Sequence, residues 1–223
     1  MLYRYLKHEY ANKLVNNGEV PFRTLSYYRD LYDDKGVRSD PNEGALVHRP
    51  KGGLKIKLKE TGQELAMEQS LRFDAHYNDI FVYCMSTEQN DSMSTGFDGT
   101  VCVEIFDVPR FLARIRSALT LRRRVHVAQL IAKPVTYHEE HEEVGINWAF
   151  PDRVAFRKPM SFKWQNEFRI AFPVNNAFGF QNLDMSMAMA PPESKTPLPH
   201  PSMTLKLGNL SKICRIFNNK PDA

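Results

Sequence analysis

Trp164-Gln165-Asn166-Glu167-Phe168-Arg169-Ile170-Ala171-Phe172-Pro173 is the stretch from which the chain is read outward. Phe168, Ile170 and Phe172 alternate with Arg169 and Ala171, the period of two that sends alternate side chains to opposite faces of a strand. Residues 167–173 are therefore predicted to be a strand. Gln165 and Glu167 stand at its leading edge, and on an extended chain their two-residue spacing puts both side chains on the same side. A Glu beside an Arg at a strand start is common surface decoration; a carboxylate and an amide converging at a strand edge are also the start of a chemical site.

The neighbouring segments set the fold class. Residues 79–85 and 100–106 are apolar, β-branched and aromatic, and are predicted strands, as are 2–6, 54–58, 202–207 and 212–217. Residues 125–137 look strand-like on both sides of Pro134. A helix is expected over 9–17, with Tyr10, Ala11 and Leu14 on one face and Gly18 as its C-terminal cap. Residues 25–32 suit a short helical turn. Asp107 can cap a further helix, Pro109 suits its first turn, and Phe111, Leu112, Ile115 and Leu119 form its apolar stripe. Polar or Pro-rich composition predicts loops over 33–44, 88–99 and 185–201. Strands outnumber helices and do not alternate with them, which favours α+β over repeated βαβ units.

Length and composition bound the rest. The 223 residues contain no internal repeat and no linker that divides them, so one domain over 1–223 is expected. Cys84, Cys102 and Cys214 are too few and too scattered for a disulfide framework or a zinc site, and Cys84 and Cys102 fall in strand-like runs as small core residues. They point to a reducing, cytoplasmic setting. No apolar run approaches the ~20 residues that span a bilayer, and residues 1–5 lack the pattern of a signal peptide. The formal net charge of +4 permits an acidic or nucleic-acid partner without requiring one. The glycine-rich dinucleotide loop, the phosphate-binding loop and the Gly-x-Ser-x-Gly turn are absent from the sequence.

Three islands occur in a set order: Arg4 on the first strand, Ser86-Thr87 at the end of the strand over 79–85, and Gln165-Asn166-Glu167 after the aromatic residues Phe156, Phe162 and Trp164. In that order the chain resembles the arginine–serine–glutamate class of ADP-ribosyltransferases. The early helix closed by Asn17-Gly18 and the return at Val20 to Phe22 belong to the likeness. Residues 158–170, with Leu2-Tyr3-Arg4-Tyr5, also resemble a bacterial family associated with phage defence.

The resemblance implies a split pair of antiparallel sheets with flanking helices and NAD as co-substrate. It further implies a toxin-like effector that transfers ADP-ribose to RNA or protein and has a neutralising antitoxin partner. Glu167 would stabilise the positive charge that builds on the ribose when the nicotinamide bond breaks, and Gln165 would orient the acceptor. Arg4 and Tyr5 would hold the phosphates and ribose, and Ser86 and Thr87 the nicotinamide side. Glu88 stands where the class often has another small hydroxyl residue.

Two alternatives belong to other classes. With water as acceptor the same site is an NAD glycohydrolase. Without catalysis, the arginine-rich segment from Arg110 through Arg122, Arg123 and Arg124 would grip nucleic-acid phosphates, although such a helix is more commonly a solvated face. Lys51, Lys55, Lys57 and Lys59 add basic surface. His138-Glu139-Glu140-His141 has metal-capable side chains but not the His-Glu-x-x-His order, and reads as a solvated loop with no metal. Arg38 to Gly44 reads as a surface turn set by Asp40-Pro41 and Gly44, or as a loop flanking the nucleotide. Met185, Met187 and Met189 form a stripe suited to packing.

Overall fold

The computed structural model describes residues 1–31, 39–51, 53–67, 69–97, 101–139, 142, 145–188 and 200–218. β1 (Leu2–Leu6) leads into α1 (His8–Asn17), which ends at Gly18 with φ 65°. L side chains rarely adopt that backbone, and a Cβ there would lie 2.1 Å from the Gly208 carbonyl oxygen. The residues that follow form β2 (Glu19–Thr24), α2 (Leu25–Asp30), β3 (Ala45–His48), β4 (Leu54–Lys57), β5 (Glu64–Met67), β6 (Ser70–Ala75) and β7 (Ile80–Ser86). The middle of the chain supplies α3 (Asp91–Gly96), β8 (Val101–Ile105), α4 (Val108–Leu119), β9 (Ile131–Pro134), β10 (Thr136–His138), α5 (Pro151–Val154) and β11 (Arg157–Pro159). The last strands are β12 (Glu167–Pro173), β13 (Leu183–Ala188), β14 (Ser202–Lys206) and β15 (Cys214–Asn218).

The fold is mixed α+β, with mostly antiparallel sheets and few helices; among the described residues only β10 and β11 pair in parallel. β7 organises the eight-stranded sheet. One of its edges is covered along its whole length by β12, from Glu167 opposite Ser86 to Pro173 opposite Ile80. Its other edge is shared. β2 pairs with it at Phe81 and Val82, β1 only at Ser86, and no strand among the described residues pairs with Tyr83, Cys84 or Met85 there. The sheet thus branches, with β2 and β14 on one arm and β1, β8 and β15 on the other.

Both faces of β7 are buried. Phe81, Tyr83 and Met85 pack with Leu14, Phe111 and Ile115 from α1 and α4. Ile80 and Val82 pack with Leu25, Phe73, Trp148 and Phe156 on the other side. This double burial explains why these strands read as near-continuous apolar runs. The Asp107 carboxylate accepts the Arg110 N–H at 3.0 Å and caps α4, as its sequence predicts. No helix among the described residues is long and apolar enough to cross a membrane.

Several expectations are corrected. The buried stripe of α1 is Ala11, Leu14 and Val15, which leaves Tyr10 at its edge and half exposed. The polar stretch after Ser86 contains α3, because Met93 anchors it in a pocket formed with Tyr5 and Cys102. Residues 183–188 are a strand paired with β6 over their whole length; the Met185-Ser186-Met187-Ala188 alternation carries that signal, and the Pro-rich residues beyond it outweigh it in a compositional reading. Residues 127–129 form a tight 3-10 turn, so the strand before Pro134 begins only at Ile131. Pro134 is tolerated because β9 is an edge strand.

Candidate active site

Where β1 and β2 part, a cavity of about 250 Å³ opens against the unpaired edge of β7. Arg4, Tyr5, Lys7 and Tyr10 line it from the β1 and α1 side, and Arg23, Tyr27 and Tyr28 from β2 and α2. Its wall also holds Ser86, Glu43, Lys158, Gln165, Glu167 and Arg169.

Arg4 fills the gap in the sheet. Its guanidinium donates to the Cys84 carbonyl, which no strand among the described residues occupies, and lies 4.1 Å from the centre of the Tyr83 ring. Its Nε is buried with no hydrogen-bond partner among the described residues. Ser86 ends β7, and its hydroxyl donates to the Glu88 carbonyl at 2.9 Å and accepts the Glu88 N–H at 3.1 Å. The Tyr5 hydroxyl accepts the Asn90 N–H at 2.7 Å. Thr87 lies outside the cavity wall, where its N–H and its hydroxyl both donate to the Asn166 carbonyl, at 2.9 and 3.1 Å. Those bonds tie the end of β7 to the start of β12.

Gln165 and Glu167 do not sit on one extended run. Gln165 ends a 3-10 turn (Met160–Gln165), Asn166 is left-handed at φ 42°, and β12 begins at Glu167. Asn is among the few L residues that accept this conformation. The two side chains are brought together by Lys158 on β11, whose Nζ donates to Gln165 Oε1 and to Glu167 Oε2, each at 3.0 Å.

Glu167 is 4 % exposed and belongs to a closed ring of alternating charge. Arg169 Nε donates to its Oε1 at 2.7 Å, and Arg169 Nη1 donates to Glu43 Oε1 at 2.7 Å. Glu43 Oε2 lies 3.9 Å from Lys158 Nζ, and Lys158 returns to Glu167. Two carboxylates and two cations balance, which is the condition for burying them. The surface-decoration reading of Glu167 and Arg169 is thereby corrected: Arg169 is 1 % exposed, because it must reach Glu43 as well as Glu167.

The electrostatics follow from this ring. Burial by itself would raise the Glu167 pKa, but Arg169 and then Lys158 outweigh it and hold the carboxyl well below the usual carboxylate range. Burial pulls Lys158 down, yet Glu167 and Glu43 leave it above its ordinary value and so protonated. Burial, with Glu167 next, pushes the Cys84 thiol up to about 12, so it stays an unreactive donor to Glu167. Burial also raises the Tyr28 hydroxyl, whose surroundings include both Arg4 and Glu167.

The loop ending at Gly44 is not the surface turn its composition suggests. Asp40 and Glu43 are both buried, with the Glu43 carbonyl accepting from Arg29 at 2.7 and 3.0 Å. Burial, with Glu43 next, pushes Asp40 up to about 6. Arg38 lies outside the described residues. His138 is likewise no solvated loop residue: it is buried in β10, edge-on to Trp148, and Glu140 and His141 lie outside the described residues. No metal-capable cluster of His, Cys, Asp and Glu exists among the described residues. Arg122, Arg123 and Arg124 are exposed in the turn after α4 and take no part in the cavity.

Lys158 and Glu43 are site residues that sequence reasoning missed, as are the wall residues Lys7, Arg23, Tyr27 and Tyr28. Lys158 lies nine residues before Glu167 with an aromatic turn between, and nothing local marks it as buried. Glu43 offers only its place in an Asp-Pro-x-Glu-Gly run.

No protein-family model matches the chain, and neither the curated proteins nor the solved structures contain a match to it.

Proposed function

We propose that the chain is an NAD-cleaving enzyme of the ADP-ribosyltransferase type, with a correspondingly split pair of sheets, that passes ADP-ribose to a macromolecular acceptor. One observation carries the proposal. Arg4 on β1, Ser86 at the end of β7 and Glu167 at the start of β12 line a single cavity where the sheet branches.

The residues present fit NAD. The Arg4 guanidinium on the cavity wall is a charged donor for a phosphate oxygen, and Arg23 and Lys7 add positive charge to the walls. Tyr10 and Tyr27 offer aromatic faces of the kind that recognise bases. The cavity is slightly smaller than the usual small-molecule range and suits one nucleoside half, the other half lying along the open mouth.

The chemistry asked of the protein is electrostatic. As the C1′–N bond breaks, its electron pair leaves with nicotinamide and positive charge builds on the ribose. Glu167, ionised and held from both sides, faces that charge without needing to reorganise. A carboxylate has about four acceptor positions; Arg169, Lys158 and Cys84 use three, and the fourth can take a ribose hydroxyl. The acceptor then adds to C1′ and its proton passes to water.

Gln165 favours a second reading of the final step. Its amide oxygen is held by Lys158 and its side chain is buried, so it does not present itself to a large acceptor. Water in that place makes the enzyme an NAD glycohydrolase. Incubating the protein with labelled NAD and cell extract separates the two: transfer puts label on RNA or protein, whereas hydrolysis releases nicotinamide and free ADP-ribose. A toxin-like effector of a defence or toxin–antitoxin system arrests growth when expressed, and an antitoxin partner restores it. The proposal fails if NAD is neither bound nor cleaved.

A further inference from the structure

We propose that Lys158 is the positioning residue of this site: it fixes the Glu167 carboxylate and Gln165 amide in one arrangement and keeps Glu167 ionised where NAD is cleaved. The inference rests on the NAD-cleaving reading, and it assigns a role that neither the Arg–Ser–Glu order nor the Gln-x-Glu motif contains.

The geometry is specific. Asn166 turns the chain through a left-handed backbone, so Gln165 and Glu167 are not aligned by the regular alternation of a strand. Lys158 Nζ bonds one oxygen of each at 3.0 Å and so links the two side chains. Its own place is over-determined: it is 4 % exposed, on a strand paired with β10, with its ammonium 4.6 Å from the centre of the Phe162 ring and 3.9 Å from Glu43. A flexible lysine so enclosed is a fixed point charge.

The groups around Glu167 come from every element that packs on it. Arg169 lies on its own strand, Lys158 on β11, Cys84 on β7 and Tyr28 on α2. The Tyr137 hydroxyl on β10 accepts the Glu167 backbone N–H at 2.9 Å, and Glu43 acts through Arg169. Of these only Arg169 and Lys158 are cations at the carboxylate. Removing Lys158 leaves Oε2 without its charged donor and lets the carboxyl rotate about the Arg169 contact.

The test uses the full chain in two variants. Lys158→Met removes the charge at similar length. Lys158→Met with Glu43→Gln removes one charge of each sign, so the ring stays balanced if the single variant fails to fold. Steady-state NAD cleavage is measured against pH, and the Glu167 carboxylate is titrated by carbon-13 NMR in the folded proteins. The expected result is a kcat about 100-fold lower, the scale of a misplaced reacting group, with KM close to wild type. The NMR midpoint of Glu167 is expected to rise by roughly one pH unit or more, the effect of losing a contact cation, and the rate profile to gain an acid limb at that midpoint. Unchanged kcat and an unchanged profile in a folded variant overturn the proposal. If wild type does not cleave NAD, the NAD reading fails on its own. The titration then still decides the electrostatic part: a raised midpoint upholds Lys158 as the group that sets Glu167, and an unmoved one overturns it.

Discussion

Replacing Glu167 by glutamine is expected to unfold the protein more easily as well as to silence it. The substitution keeps the shape and removes one of four buried charges. Lys158 and Arg169 would then keep Glu43 as their one contacting carboxylate, with Asp40 farther off, behind a 3.0 Å and a 2.7 Å contact that no longer carry opposite charge. Breaking a buried pair from one side costs about 3–5 kcal/mol, a large part of the ~5–15 kcal/mol that holds a domain together. At ~2–4 °C per kcal/mol for a chain of this size, the midpoint falls by about 6–20 °C. Thermal unfolding followed by circular dichroism near neutral pH measures it. The double variant Glu167→Gln with Lys158→Met removes one charge of each sign and should recover most of the loss. The sign with pH is also set. The Glu167 pKa is depressed in the folded state, so its contribution is complete above the ordinary glutamate value of about 4.3 and is lost as pH falls below it towards the folded value. The gap between wild type and Glu167→Gln should therefore close in acid. A Glu167→Gln midpoint within about 2 °C of wild type near neutral pH, less than even ~1 kcal/mol would give, refutes the ring as a set of desolvated, mutually dependent charges.

Asp40 should behave in the opposite sense. Its folded pKa of about 6 lies above the unfolded value, so the protein is most stable with respect to this group below pH ~4 and loses up to ~3 kcal/mol as pH rises through 6; Asp40→Asn, which keeps the oxygen that accepts from the Asn42 N–H, should flatten that slope and raise the midpoint near neutral pH, as melting at acid and neutral pH would show. Gly18→Ala should cost more than ~2 kcal/mol, since the left-handed backbone alone costs ~1–2 kcal/mol and the new Cβ meets the Gly208 backbone; urea unfolding measures it. Arg4→Lys keeps the charge but loses the planar fork. It should raise the KM for NAD about 10-fold or more, the scale of one charged hydrogen bond, in a nicotinamide-release assay.

Periodicity made the frame of this fold legible. The strands over 2–6, 79–85, 100–106 and 167–173 are local alternations or apolar runs, and the Gly18 and Asp107 caps are local chemistry, so both survive in the structure nearly residue for residue. β3, β6 and β11 were not legible, because they are short and β6 and β11 mix charged with apolar residues, so no local alternation marks them and β-propensity depends on context. The order Arg4, Ser86, Glu167 pointed to three residues that line one cavity. Their depth was hidden, because a Glu-x-Arg pair on a surface strand and one in a core have the same spelling. What buries this pair is Glu43, 126 residues from Arg169, and Lys158, which crosses a turn that disguises its proximity. The 40–44 loop misled for the same reason: Asp, Pro and Gly specify a turn but not what covers it.

The most direct measurement is nicotinamide release from NAD by the purified protein, run beside the charge-balanced Glu167→Gln, Lys158→Met variant after both have been shown to melt cooperatively. Release by wild type and none above background by the folded variant is the expected result. No NAD binding and no nicotinamide release by well-folded wild type, with or without cell extract, would contradict the assignment of this cavity to NAD cleavage.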